Sequence, residues 1–235
     1  MKDEAFCPGI LIFAGRFGSG KTEVAINYAL ALAGGRGQSP RSSIQCPILI
    51  DLDIVTPYFR SRETAEALEK RGVQVIAPSA VSRYLDTPAI TPQILGAIQQ
   101  FGRPVVLDVG GDMQGARALG QFSPAIRQQD YVMYFVVNPY RPFTDTLEGL
   151  ARSIAEIEAS SRLQVSCLVS NPNLIVETTV DLIVAGHSRI EGFAKELGLA
   201  IAFVCVERRW VAALGSNHFA QPVLALDRHF VMSWE

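Results

Sequence analysis

Cysteine is scarce and scattered: the 235-residue chain has four, at positions 7, 46, 167 and 205, with no Cys-x-x-Cys pair and no histidine at ligand spacing. That excludes a disulfide framework and a zinc site, and reads as small core side chains in a reducing compartment. An excess of charge of one sign is also lacking. Lysine and arginine number 21 against 23 acidic residues, a net charge of −2 with no basic stripe, so a nucleic-acid-coating protein is excluded. A local site for an acidic small molecule needs no such excess. Long hydrophobic runs are missing as well: the longest, such as 131–137, are strand-sized, far below the roughly 20 residues that span a bilayer. The start, Met1-Lys2-Asp3-Glu4, is mixed in charge and carries no secretory pattern. A cytoplasmic protein with no membrane span is expected. Apolar residues make up 49% of the chain, which excludes a disordered tail, and one domain over 1–235 is expected from the length.

Continuous β-branched runs occur at 10–14, 47–50, 73–77, 105–109, 131–137, 165–169 and 200–206. Continuous rather than alternating hydrophobicity belongs to strands covered on both faces. Helical spacing lies between them, over 23–33, 61–70, 144–160 and 180–197. Strand followed by helix, repeated, predicts an α/β fold: a doubly wound, mainly parallel sheet with helices on both faces and a ligand site beyond the carboxyl ends of the strands. The stretch 34–43, rich in Gly, Ser, Pro and Arg, reads as a mobile surface loop.

Directly after the first strand comes Gly15-Arg16-Phe17-Gly18-Ser19-Gly20-Lys21-Thr22, which fits G-x-x-x-x-G-K-[ST] and leads into a helix beginning near Glu23. The glycines let successive backbone N–H groups curl around phosphate oxygens, and the helix points its positive end at them. Gly15, Phe17, Gly18, Ser19, Gly20 and Lys21 are the expected nucleotide contacts, continued by Thr22 and Glu23. Lys21 is expected on the β- and γ-phosphates and Thr22 on Mg²⁺.

Asp51-Leu52-Asp53 follows the second strand, and carboxylates at i and i+2 of an extended end point the same way. One suits a metal-bound water and the other an attacking water; a pair of solvated loop aspartates is the alternative. The run Val105-Val106-Leu107-Asp108 ends an apolar strand in a carboxylate, and Asp108-x-x-Gly111 offers Mg²⁺ coordination and a backbone N–H for a γ-phosphate. Two later strands end in Asn138-Pro139-Tyr140-Arg141 and Ser170-Asn171-Pro172-Asn173, neither of which is the guanine-reading Asn-Lys-x-Asp, so ATP is favoured over GTP. An Asn amide there can bracket adenine N6 and N7, or can simply make a turn. His187 falls on the apolar stripe of its helix and reads as a buried structural histidine; Glu207-Arg208-Arg209-Trp210 reads as a helix start or a lid; Arg228 to Met232 is too short for a membrane anchor.

Taken together, these residues resemble the ParA/MinD and CobQ/CobB class of P-loop ATPases (the SIMIBI class) over most of the first 175 residues. The resemblance places Asp51 and Asp53 in switch I, Asp108 and Gly111 in switch II and Asn171 on adenine, with Asp53 positioning the hydrolytic water. It implies ATP and Mg²⁺ as cofactors, with Thr22, Asp51 and Asp108 around the metal. Many members of that class sandwich two ATP molecules in a homodimer, using a second lysine one residue after the first loop glycine; here that position is Arg16, read as a charge acting across the interface. The segment 53–62 also resembles uncharacterised bacterial ATP-binding proteins of this class. Three functions are open at this point: a slow switch ATPase gating an unknown protein partner or maturation step; a small-molecule kinase or ligase in which Asp53 or Asp112 activates an acceptor; and a nucleotide sensor without turnover.

Overall fold

A computed structural model describes residues 9–34, 46–53, 62–77, 92–215 and 218–229. The loop 35–43 and the segment 54–61 after the second strand lie outside the described residues. Eight strands form one sheet in the order β3-β2-β4-β1-β5-β6-β7-β8, and every pairing between neighbours is parallel. In chain order these are β1 (Ile10–Ala14), β2 (Ile48–Asp51), β3 (Gln74–Ile76), β4 (Val105–Asp108), β5 (Tyr131–Val137), β6 (Cys167–Ser170), β7 (Ile201–Glu207) and β8 (Val223–Leu226). The helices are α1 (Lys21–Gly34), α2 (Arg62–Lys70), α3 (Pro92–Gln99), α4 (Met113–Ile126), α5 (Leu147–Ser161), α6 (Val180–Leu197) and α7 (Arg208–Leu214). The doubly wound α/β architecture expected from the sequence is what forms.

β1 sits between β4 and β5 and is buried along its whole length. Its pleat divides the core: Ile10, Ile12 and Ala14 join one apolar layer with α3, α4 and α5, while Leu11 and Phe13 join the other with α1. Two aromatic residues of that second layer, Phe13 and Tyr134, stack with ring centroids 5.0 Å apart. Because both faces are covered, no strand here alternates apolar and polar residues, and the continuous runs in the sequence follow from that.

α4 breaks the helical sequence rules and forms through two compensations. Gly120 lets α5 approach so closely that a Cβ at that position would lie 2.6 Å from the Ser160 carbonyl oxygen. Pro124 lies inside the helix and has no N–H for the carbonyl of Gly120; the Ser123 hydroxyl donates to that oxygen instead, at 2.9 Å. α5 begins three residues later than expected. Thr146 caps it, accepting from the Gly149 N–H at 3.1 Å, while Thr144 is turned to the Asn138 carbonyl at 2.7 Å. Among the described residues no helix is long and apolar enough to cross a membrane.

Candidate functional site

The site lies at the carboxyl ends of β1, β2 and β4, where the first crossover turns from strand to helix. Gly18 and Gly20 take φ values of +78° and +82°, which a side chain would strain. The Ser19 N–H closes the turn on the Arg16 carbonyl at 3.1 Å, and α1 begins at Lys21. Lys21 is only 6% exposed, and the Ser19 hydroxyl is buried without a hydrogen-bond partner. A buried hydroxyl without a partner costs free energy unless a ligand supplies one. The positive-φ glycines, the start of α1 and the unpartnered Ser19 hydroxyl together suit a polyphosphate.

β2 and β4 bring two carboxylates side by side. Asp51 and Asp108 are register partners on adjacent parallel strands, and both are buried. Asp51 Oδ1 accepts from the Asp53 N–H at 2.8 Å, so the first acid fixes the turn that carries the second. Both oxygens of Asp108 are buried and have no hydrogen-bond partner. Burial pushes its carboxyl up to about 6 and the Asp53 charge pushes the same way, while the Lys21 ammonium and Thr22 hydroxyl beside it pull back. A buried acid with no well-formed hydrogen bond, next to an ammonium, a hydroxyl and a helix N-terminus, fits a divalent cation held by few protein groups and by phosphate oxygens. Among the described residues no group of three or more His, Cys, Asp or Glu side chains could hold a metal alone.

The segment that follows β4 is packed against the loop. A Cβ on Gly111 would fall 2.7 Å from the Phe17 nitrogen, so only glycine lets this segment reach the loop tip. Asp112, weighed above as an acceptor-activating acid, caps α4 instead, accepting from the Gly115 N–H at 2.9 Å. Asp53 is half-buried, and its Oδ1 lies 3.5 Å from where a Gly110 Cβ would stand. Gly15, Gly18, Ser19, Gly20, Lys21, Thr22, Asp51, Asp53, Asp108 and Gly111 are therefore brought to one end of the sheet.

Three expected site residues have partners that the sequence did not reveal. Arg16 is engaged within its own chain: its Nε donates to Ser153 Oγ at 2.8 Å, its Nη2 pairs with Glu156, and its guanidinium lies 5.4 Å from the Phe143 ring centroid. The expected free charge at the loop is tied to α5. Glu23 turns to the C-terminal segment, accepting the His229 N–H on both oxygens at 2.9 and 3.1 Å. Asn171 donates through Nδ2 to the Ser19 carbonyl at 2.7 Å and is 3% exposed, so its amide group braces the loop from beneath. Phe17, in contrast, is 77% exposed at the loop tip. His187 is buried as expected, with Nδ1 3.0 Å from Ser170 Oγ and Nε2 3.2 Å from Gln221, and burial pushes its pKa down. Glu207 to Trp210 forms the start of α7, where Arg208 pairs with Asp227 through both carboxylate oxygens.

Sequence reasoning missed Asn27, whose side chain forms a two-way clasp with the backbone of Asp227, donating at 2.9 Å and accepting at 2.9 Å. A polar residue on the buried face of α1 was the available signal. It also missed Arg141, whose side chain lies against Gly18.

No protein-family profile matches the sequence, and no curated protein matches it. Solved structures do. Chloroplast FtsY from Physcomitrella patens superposes with a TM-score of 0.55 at 16% identity, over 85% of this chain and 59% of that one. The cell division protein FtsY of Thermotoga maritima gives 0.53 at 20% identity, over 86% and 63%. The chain has a P-loop NTPase fold. FtsY from Mycoplasma mycoides gives 0.51 at 17% identity over 87% and 62%, so the chain spans about three fifths of the length of these neighbours. At such identities the likeness is one of fold, and the chemistry of this P-loop protein rests on its own residues.

Proposed function

We propose that this protein is a Mg²⁺-dependent nucleotide switch of the ParA/MinD-like kind, binding ATP, hydrolysing it slowly without a second substrate and gating a partner. The observation that carries this reading is Asp108, fully buried with neither oxygen in a well-formed hydrogen bond, beside the Lys21 ammonium and the Thr22 hydroxyl at the start of α1. Such a carboxylate destabilises the empty protein and is relieved when a cation and phosphates arrive. Bound Mg-ATP would supply the transferable phosphoryl group, with Thr22, Asp51 and Asp108 around the metal. Lys21 and the loop N–H groups neutralise phosphate charge where it grows in the transition state. Asp53, fixed through the Asp51 hydrogen bond, orients a water as nucleophile, and Gly111 couples the occupancy of the loop to α4.

Adenine is favoured because the ends of β5 and β6 carry Asn-Pro-Tyr-Arg and Asn-Pro-Asn, with no Asn-Lys-x-Asp. Signal recognition particle receptor FtsY from Elizabethkingia anophelis was solved with GDP, which makes guanine nucleotides the natural control. Docking of a partner is supported by apolar side chains at the rim: Phe17, Phe143 and Met113 are exposed on the loop, after β5 and at the start of α4. A nucleotide-dependent homodimer belongs to this reading, and Arg16 would have to leave Glu156 to act across it.

Phosphate release from Mg-ATP by the purified protein alone tests the proposal. Release is expected without any acceptor, and Asp53→Asn should lower it at least ~10-fold while binding is retained, the scale of a lost proton-accepting or water-orienting group. Release that appears only with an added metabolite would overturn the switch in favour of a kinase or ligase.

A further inference from the structure

Arg141 stands in the turn after β5, and its backbone is held from several sides. Its N–H donates to the Asn138 carbonyl at 3.2 Å, and its own carbonyl accepts from the Thr144 N–H at 3.2 Å. Thr144 Oγ1 donates to the same Asn138 carbonyl at 2.7 Å, and the Asn138 amide donates to Asn173 at 2.7 Å. From this fixed base the side chain runs onto the phosphate loop, where a Cβ on Gly18 would lie 3.5 Å from both its Cδ and its Nε.

The Arg141 Nε is buried there and has no hydrogen-bond partner, and among the described residues no carboxylate pairs with the guanidinium. Arg16 of the loop and Arg189, by contrast, have partners: Arg16 bonds Ser153 and Glu156, and Arg189 bonds the Pro139 and Asp145 carbonyls. A guanidinium keeps its charge at any working pH and presents five donors in a rigid fork. Held against an anion-binding loop with a buried donor unused, it lacks an anionic acceptor. Phosphates enclosed by the loop are served by its N–H groups and by Lys21. A terminal phosphate would carry more oxygens than those groups can serve, and Arg141, packed against Gly18 of the loop, would offer the further donors.

We propose that Arg141 contacts the terminal phosphate of a bound nucleoside triphosphate from within the same chain and so distinguishes triphosphate from diphosphate. This rests on the nucleotide-binding reading above, and it differs from the role suggested for Arg16, which was to act across a dimer interface.

Calorimetric titration of the full chain with Mg²⁺ plus ADP, and with Mg²⁺ plus a non-hydrolysable ATP analogue, tests it. Arg141→Ala is expected to weaken the analogue ~10-fold or more, the scale of a lost charge-assisted hydrogen bond, and to leave ADP within about 2-fold. Arg141→Lys, which keeps the charge and loses the fork, should fall between, and it carries the same comparison if the alanine variant does not fold. Equal loss for both nucleotides, or no loss for either, overturns the role of Arg141 and leaves the nucleotide reading standing. Failure of the unaltered protein to bind either nucleotide overturns that reading instead.

Discussion

Lys21→Ala is expected to weaken Mg-triphosphate binding by ~100-fold or more, as read by titration of a fluorescent triphosphate analogue. The ammonium is almost fully buried and is the main charge offsetting Asp108. Two charge-assisted hydrogen bonds to phosphate oxygens, each contributing about 1.5–3 kcal/mol, account for a loss of this size. The empty protein should respond as well. Without Lys21 the Asp108 carboxyl loses the largest influence holding it down and moves further above about 6. Lys21→Arg is not expected to restore binding, because a planar fork does not fit a space shaped for a compact ammonium. Triphosphate affinity unchanged in Lys21→Ala would show that the loop does not hold phosphate.

Asp108→Asn should make the empty protein more stable and its Mg²⁺-dependent triphosphate binding weaker. Burial pushes the folded carboxyl up to about 6 from an ordinary 3.8, so ionising it costs the fold stability, on the order of a few kcal/mol. That cost is absent below the unfolded value, where both states hold the proton. It grows as the pH rises from about 4 to 6, and is fully present above. Asparagine removes the charge but brings amide donors that also lack partners, so a net gain of about 1–2 kcal/mol at pH 7.5 is expected. For a domain of this size that is a rise of roughly 2–8 °C in the thermal midpoint. The gain should vanish below about pH 4, where the native acid is already neutral. A midpoint that falls at pH 7.5 would mean that Asp108 is paired in the empty protein and is not held in reserve for a cation.

The strands and the phosphate loop were legible because each is specified locally. β1, β4 and β5 are continuous apolar runs whose burial on both faces leaves no other reading, and Gly15 to Thr22 carries its spacing within eight residues. α6 was equally plain from its apolar spacing over 180–197, to which the structure adds the Thr179 cap and Gly198 at its end. α4 was not legible, since Gly115, Gly120 and Pro124 are helix breakers whose compensations, the Ser123 hydroxyl and the close approach of α5, exist only in the folded chain. β8 is four residues after Pro222, too short to stand out until β7 pairs with it.

Within the site the same division holds. Asp51 and Asp108 reach the sheet end because their strands do, and Lys21 because the loop after β1 starts α1 there. The partners of Arg16 lie 137 and 140 residues away on α5, so the tie that removes its free charge could not be seen in the loop alone. Asn171 was found by its position after a strand, yet its nearest acceptor turned out to be the loop carbonyl. Arg141 stood in a quoted strand end and was passed over for the asparagine three residues before it; only the packing on Gly18 singles it out.

Titration calorimetry of the unaltered protein with Mg-ATP and Mg-GTP tests the central claim most directly. Saturable binding of ATP is expected, lost or sharply weakened when Mg²⁺ is chelated, and at least ~10-fold tighter than GTP, a difference of about 1.4 kcal/mol. Binding of neither nucleotide, or affinity indifferent to Mg²⁺, would contradict the assignment of Asp108 and its neighbours to a metal-nucleotide site.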